Sequence, residues 1–281
     1  MEQSPRLRIW LRFRREKLAV GALAILAGLL LVAILAPVLA PYEPFAAHPE
    51  IALKPPTSGF PFGTDHLGRD VLSGVIWGAR TSIGTSFASI TLSTLIGIPI
   101  GAVAGYYGGR FDDLMMRIVD IFLVIPTFFI VLVVVAIFGA KQYLLVIILG
   151  LTMWPRTARL FRGAVLSVKE EAFVEAAVAL GSSDSRVIGR HLVPNAIFPV
   201  IVNLPLQAGA VILIEAGLGF IGLGDPTIVS WGSMLNDAQQ MVYHSWWMPL
   251  FPGLAITTTI LTFNLVGDGL NEAISSRYQR Q

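Results

Sequence analysis

Cysteine is absent from this 281-residue chain, which excludes a disulfide framework, a cysteine metal cluster and a cysteine nucleophile. Charge is also scarce. Charged residues make up 14% of the sequence and hydrophobic residues 54%, whereas a soluble domain carries about 25% charged residues. The net charge of +2 is too small to indicate nucleic-acid binding. The composition therefore predicts a protein embedded in the lipid bilayer.

The sequence has no phosphate-binding loop. Such a loop requires Gly-Lys before Ser or Thr, but the residues that precede the lysines are Glu16, Leu53, Ala140 and Val168. Any ATP must therefore be bound by another chain.

The histidines give little indication of a metal site. His48, His66, His191 and His244 are scattered, with no pair at i, i+4 spacing that suits zinc. For His48 and His66, solvated loop residues are the favoured interpretation, and nickel ligands are the alternative. Without a visible nucleophile, base or metal cluster, a membrane enzyme or scaffold has little support, so we expect no catalytic residue and no metal site.

What the chain does contain is six apolar stretches, each long enough to cross about 30 Å of hydrocarbon as a helix. The first has an apolar run longer than the ~7–15 residues of a cleaved signal peptide, so it is predicted to be an uncleaved anchor. The stretches cover about 18–39, 83–104, 118–138, 143–161, 196–216 and 249–266. We therefore predict an all-α membrane protein with six transmembrane helices.

The distribution of lysine and arginine predicts the orientation. When each lysine and arginine is assigned to a terminus or to a connection between predicted spans, 16 lie on the side of the membrane that holds both termini, and 4 lie on the opposite side. Positive charge marks cytoplasmic connections. We therefore expect both termini in the cytoplasm and a multi-pass protein of the inner or plasma membrane.

These boundaries divide the chain into segments. The expected divisions are a basic cytoplasmic N-terminus (1–17), an anchor helix (18–40), an extracytoplasmic loop (41–80), a five-helix transmembrane domain (81–270) with a cytoplasmic loop at about 165–195, and a cytoplasmic tail (271–281). In the second long extracytoplasmic connection, Trp246 and Trp247 are expected to anchor at the membrane interface.

The cytoplasmic loop contains a short apolar helix. Residues 170–180 place Phe173, Ala177 and Leu180 on one face, but about 11 residues are too few to cross a bilayer. The helix either rests on the membrane surface or docks into a partner protein. The small residues Ala176 and Ala177 favour docking because they permit close backbone approach. Gly181 then allows a sharp turn.

This loop resembles the "EAA" loop of ABC importer permeases. Glu175-Ala176-Ala177 is followed by three residues and Gly181, and later by the run His191 to Asn195. The wider chain resembles the second permease subunit (the dipeptide permease C type) of the dipeptide, oligopeptide and nickel importers. His191 and Val193 depart from the general importer pattern, and the Arg190-His191 pair resembles the peptide-permease version of the loop. Further matching stretches are 62–73, 78–80, 106–109, 219–224, 230–232, 263–265 and 267–270.

The resemblance implies a type I ABC importer transmembrane fold with a cytoplasmic coupling helix. That helix would sit in a cleft of an ATPase subunit, with Phe173, Ala177 and Leu180 in apolar contact. Glu175 would lie at the edge of the contact, beside Ala176, and Gly181 would turn the chain. Pro194 would begin the fifth span, where its missing N–H costs nothing in the first turn.

The resemblance also implies the partners. A second homologous permease subunit, two cytoplasmic ATPase subunits and an extracytoplasmic substrate-binding protein are expected around this chain. No cofactor is expected on the chain itself, because ATP and Mg would be bound by the ATPase subunits. Relatives carry peptides, nickel chelates, glutathione or sugars, and the binding protein largely performs the selection.

An ion-coupled secondary carrier or a channel is the competing hypothesis. Ionisable residues at mid-span would favour it, but Asp120 and Glu215 lie near span ends. Asn203, Gln207 and Asn264 are candidates for a polar substrate path. Hydrogen bonds between helices are the alternative for these three side chains, and the favoured one.

Overall fold

A computed structural model describes residues 10–275 of the chain. Within these residues the secondary structure is helical apart from one isolated antiparallel bridge between Thr64 and Asp70. The main helices are α1 (Lys17–Ile34), α2 (Val71–Tyr107), α3 (Gly109–Val124), α4 (Thr127–Phe138), α5 (Gln142–Lys169), α6 (Ala172–Ala179), α7 (Phe198–Phe220), α8 (Trp231–Ala238) and α9 (Trp247–Ser275).

Five of these helices, α1, α2, α5, α7 and α9, are long and apolar enough to cross a membrane. They coincide with five of the six predicted spans. The remaining predicted span, 118–138, is wrong as a single straight helix. It is divided between α3 and α4, which meet at a 77° bend. Pro126 lies at the bend, where it lacks an N–H to donate and restricts Ile125 to extended backbone.

Several spans differ in length from the prediction. Helix α2 begins at Val71, well before residue 83, because the side chain of Asp70 accepts a hydrogen bond from the Ser73 N–H at 2.8 Å and caps the helix. Helix α5 continues to Lys169. The first span breaks after Ile34, and a separate turn, Ala36–Leu39, has Pro37 near its start.

Close packing of α2 against α5 forms the centre of the bundle. Gly97, Gly101 and Gly105 lie four residues apart on α2 and face α5. A Cβ on Gly101 would lie 2.5 Å from the carbonyl oxygen of Ala158. Small residues at this spacing let two membrane helices approach at backbone distance. The pair α2 and α5 is therefore a closely packed unit to which the other helices attach.

The remaining helices extend this unit. Helices α7 and α9 pack together, and α1 lies against α2 and α9. Buried side chains that join them include Ile83, Leu149, Ile212, Leu218 and Phe263. The bundle has two ends. We call the one with the segments 41–70 and 221–246 the loop end, and the one with α6 and the last turns of α2 and α5 the basic end.

Candidate coupling helix and polar sites

Helix α6 at the basic end is the predicted coupling helix, and it is shorter than expected, running from Ala172 to Ala179. One side of it is buried in its own chain. Val174 is 2% exposed and belongs to a buried cluster with Phe161, Val187 and Leu192. This cluster holds α6 against α5 and the segment that leads to α7.

The opposite sides of α6 are exposed. Phe173 is 44% exposed and Leu180 87% exposed, and Ala176 and Glu175 are exposed as well. Ala177 is only 8% exposed, so the prediction that it shares an outward face with Phe173 and Leu180 is wrong. Helical spacing places Phe173, Ala176 and Leu180 along one exposed side. We call these three residues the lever face.

Gly181 ends α6 with the backbone geometry that its sequence position predicts. Its φ is +78°, a region that side chains disfavour. The Gly181 N–H donates to the carbonyl of Val178 at 2.9 Å, and the Ser182 N–H donates to that of Ala177 at 3.1 Å. This pair of bonds is a Schellman motif. It turns the chain sharply from α6 toward Asp184.

The connection from α6 to α7 is helical in pieces. The helix Asp184–Arg186 leads into a π-helical turn, Val187–Leu192, and then into Val193–Ala196. Pro194 lies in this last piece. The prediction that it begins the fifth span is therefore wrong, since α7 begins at Phe198 with Pro199 in its first turn. Unwound π-helical turns often mark functional positions.

A cluster of polar side chains ties this connection to α2. The hydroxyl of Tyr106 donates to Asp184 Oδ1 at 2.8 Å, and that of Tyr107 donates to Asp184 Oδ2 at 3.2 Å. Lys169 donates to the Tyr106 carbonyl at 2.6 Å and lies 5.5 Å from the centre of its ring. Tyr106 and Tyr107 lie in a motif that is visible in the sequence, whereas nothing in the sequence indicates Asp184 as their partner, because the contact spans 78 residues.

Two ion pairs join α3 to α5 nearby. Arg162 donates to both carboxylate oxygens of Asp112, each at 2.5 Å. Arg159 pairs with Asp120. Asp112 is buried, whereas Arg159 and Asp120 are both largely exposed. Asp120 thus bonds a neighbouring helix from an exposed position, which gives no support to a role in an ion path.

Polar side chains also meet inside the bundle. Gln207 is buried, and its amide donates to Asn203 Oδ1 at 2.7 Å and to the Thr157 hydroxyl at 3.3 Å. Thr157 in turn lies 3.3 Å from Ser93. These contacts connect α7, α5 and α2. They fit the helix-to-helix alternative for Asn203 and Gln207, whereas Asn264 lies apart on α9, with its side chain facing Gly209 of α7.

Glu215 on α7 is a second buried acid of the bundle, besides Asp112 on α3. It is 3% exposed and accepts a hydrogen bond from Ser82 at 2.8 Å. It joins α7 to α2 near the loop end. An acid placed in this way holds two helices together and is enclosed by protein rather than aligned along a channel.

The loop end is held by Arg69. Its guanidinium donates to Asp65 at 2.5 Å and to Asp237 at 2.6 Å. Burial alone lowers the pKa of Arg69, but the two carboxylates outweigh this effect and raise it. The bridge joins the first long loop to the end of α8, two segments separated by 168 residues.

Nearby, Asp225 forms a second fixed point. Burial favours its neutral form, but hydrogen bonds from Thr227 and from the Gln142 N–H lower the pKa of this carboxyl below its ordinary value. The loop that contains Asp225 is therefore anchored to the start of α5.

The two histidines of the first long loop, His48 and His66, have different neighbours. His48 lies 3.5 Å from Glu50. His66 brings a ring nitrogen within 4.8 Å of ligand atoms of Asp65 and Asp237, a combination that could suit a metal ion. Both carboxylates already bond Arg69, so the guanidinium supplies the positive charge there.

Comparison with known proteins identifies the family. The family described as "Binding-protein-dependent transport system inner membrane component" matches residues 97–280. The chain belongs to this family. A second family description, "N-terminal TM domain of oligopeptide transport permease C", matches residues 4–56. The chain is therefore a membrane-spanning permease subunit of an ABC importer and is not an enzyme by itself.

Curated relatives cover nearly the whole permease. A dipeptide transport system permease protein of Alkalihalophilus pseudofirmus is 37% identical, with 98% of this chain and 90% of the relative covered. The oligopeptide transport system permease protein of Bacillus subtilis is 37% identical, over 96% of this chain and 89% of the relative. The glutathione transport system permease protein of Pectobacterium atrosepticum is 34% identical, over 98% of this chain and 92% of the relative.

Solved structures resemble the fold. The inward-facing MetNI methionine ABC transporter matches 71% of this chain and 96% of its own, with 18% identity and a TM-score of 0.57. This similarity confirms the ABC importer transmembrane fold that the sequence predicts. As an importer permease, the chain acts together with partner subunits in a membrane.

Proposed function

We propose that this permease forms, with a second homologous permease, the translocation path for di- or oligopeptides or related solutes. An extracytoplasmic binding protein delivers the solute, and two cytoplasmic ATPase subunits, which bind ATP and Mg, drive the transport. The names of the relatives, which refer to dipeptides, oligopeptides and glutathione, support peptide-like cargo.

In this proposal the basic end faces the cytoplasm, with both termini. The charge count supports the orientation, since 16 of 20 basic residues belong to that side. The loop end then faces the binding protein.

The lever face carries the proposal. Phe173 and Leu180 expose apolar side chains at the basic end, while Val174 fixes the other side of the same helix to the permease. An exposed apolar patch on a firmly held helix is typical of a protein contact. Phe173, Ala176 and Leu180 would enter a cleft of the ATPase, with Glu175 at its edge. Ala177 and Pro194 would act from within the permease, by seating α6 and shaping the connection to α7.

Movement would then pass along two connections. Closure of the ATPase pair would displace α6, and the π-helical connection would carry this displacement into α7. The bonds from Asp184 to Tyr106 and Tyr107 would carry it into α2. Asn203 and Gln207 would hold the helices in register, and Asn264 stays a candidate for the path.

The test is uptake into vesicles. The complete complex is expected to accumulate a peptide only when ATP is present on the side of the membrane that carries the ATPase subunits. Gly181→Val should abolish most of this uptake, because a β-branched residue disfavours a φ of +78°. The matched control is Gly163→Val, since a Cβ there meets nothing within 4 Å and its backbone is helical. Uptake driven by an ion gradient through this chain alone would instead favour the carrier hypothesis.

A further inference from the structure

A cleft of about 460 Å³ opens at the loop end, between the start of α2, the start of α5 and the two long loops. Its size falls within the ~300–1,000 Å³ of small-molecule pockets. Arg80, Thr81, Thr85 and Gln142 line it with polar groups. The cleft is separate from α6 and from the Gln207 cluster.

Arg80 is the charged group of this cleft, and it differs from Arg69. Arg69 bonds two carboxylates. Arg80 forms no ion pair with any residue between 10 and 275. Instead its guanidinium lies 5.6 Å from the centre of the Trp77 ring. Arg80 is exposed, and this cation–π contact orients its guanidinium while its N–H groups remain available to an anion.

The other polar groups are fixed beside it. Gln142 donates from its side-chain amide to the hydroxyl of Thr85, and Thr85 donates to the carbonyl of Thr81 at 2.7 Å. The Gln142 backbone is held in turn by Asp225. The polar side of the cleft is therefore preformed.

The rest of the lining is apolar. Phe45, Val146, Ile228 and Val229 face the same space. At Gly84, a Cβ would meet nothing within 4 Å, so the cleft is open next to α2. One arginine beside an apolar wall suits a solute that combines a carboxylate with an apolar group.

We propose that this cleft receives the transported solute, with the guanidinium of Arg80 binding its carboxylate. The inference rests on the proposed function and adds a chemical requirement to it. A peptide supplies the carboxylate at its C-terminus, and an adjacent apolar side chain would lie against Val146 and Ile228. Arg80 would thus favour cargo with a free carboxylate after release from the binding protein.

The experiment compares alanyl-phenylalanine with its C-terminal amide in vesicles that contain the complete complex. The measured quantity is the ratio of the two uptake rates, in wild type and in Arg80→Gln. Wild type and Arg80→Gln receive the solute from the same binding protein. The preference of that binding protein for the acid or the amide therefore cancels when the wild-type ratio is divided by the Arg80→Gln ratio. We expect Arg80→Gln to lower the acid-to-amide ratio by roughly tenfold, as for loss of a charge-assisted bond.

Three variants sharpen the result. Arg80→Lys keeps the charge but loses the planar fork, so its ratio should be intermediate. Lys54→Gln removes an exposed charge from the same end of the bundle and should leave the ratio unchanged. Gly84→Leu adds a side chain to the lining of the cleft, where its Cβ would meet nothing within 4 Å. This variant should slow uptake of both compounds, which also tests the site if Arg80→Gln does not assemble.

Two results would overturn the inference while leaving the proposed function intact. One is an equal loss of acid and amide uptake in Arg80→Gln, which would indicate that Arg80 binds lipid phosphate or stabilises the fold. The other is unchanged uptake in Gly84→Leu. If wild type shows no ATP-dependent uptake of either compound, the proposed function fails, and this site fails with it.

Discussion

The two ends of the bundle are built differently. At the loop end, buried bonds connect segments far apart in the sequence, as between Trp247 and the Thr64 carbonyl at 3.0 Å. At the basic end, α6 is held on one side, and the Tyr106 and Tyr107 bonds to Asp184 are exposed. Exposed hydrogen bonds contribute little net free energy because water replaces them. The difference indicates that the loop end is a fixed end and that the basic end is held less firmly.

The largest effect is expected at the fixed end. Trp247→Ala should lower the free energy of unfolding by about 3–5 kcal/mol, since a buried tryptophan leaves a cavity and frees its partner groups. The neighbouring Trp246→Ala is the matched control, because Trp246 is 55% exposed and Trp247 5%. Thermal unfolding in detergent measures both. Similar losses in the two variants would contradict a rigid loop end. The burial of Trp247 also shows that the prediction of an interface anchor is wrong for this residue, since its side chain packs inside the protein.

The α3–α5 ion pairs test how far rigidity extends toward the basic end. Arg162→Gln should destabilise the protein by about 1–3 kcal/mol because Asp112 stays buried without its cation. Arg159→Gln should cost less than about 1 kcal/mol, since that pair is exposed. The same unfolding assay applies. Equal effects of the two variants would mean that burial does not distinguish these pairs.

The intramembrane cluster should give a smaller change. Gln207→Leu is expected to cost about 0.6–1.7 kcal/mol, the measured range for hydrogen bonds between membrane helices, and to leave peptide uptake nearly unchanged. Asn264→Leu serves as the comparison, because Asn264 lies outside this cluster. A large loss of uptake with normal stability in Gln207→Leu would place it on the substrate path instead.

The smallest change in stability is expected for the double variant Tyr106→Phe, Tyr107→Phe. Removal of two exposed hydroxyls should leave the free energy of unfolding nearly unchanged, because water replaces both bonds, yet it should reduce the peptide transported per ATP hydrolysed. Ser167→Ala, which removes an exposed bond within α5, is the control. Unchanged coupling in the double variant would contradict the role of this contact in moving α2.

Local patterns predicted much of this architecture. Apolar runs located the spans, and Gly181 predicted the turn after α6. The bend at Pro126 was predictable too, since proline disfavours a continuous helix, although the uninterrupted apolar run around it predicts a single span. The inward side of α6 was not predictable. Apolar residues occur around most of its circumference, so periodicity does not distinguish Ala177 from Ala176.

Contacts between distant segments could not be predicted from the sequence. The bridge from Arg69 to Asp237 and the pair of Glu215 with Ser82 depend on the packing of whole helices. Arg80 shows the same limit. Its motif was visible in the sequence, but its place in a cleft and its lack of a carboxylate partner among residues 10–275 follow from the fold.

The most direct test labels the lever face. Because the chain has no cysteine, Leu180→Cys in lipid nanodiscs provides a single target for a water-soluble maleimide, with Val174→Cys as a buried control. We predict rapid labelling of Leu180→Cys in the permease pair alone and strong protection once the ATPase subunits bind. Protection in both states would mean that the helix lies in lipid, and labelling in both would mean that no ATPase covers it; either result contradicts the account.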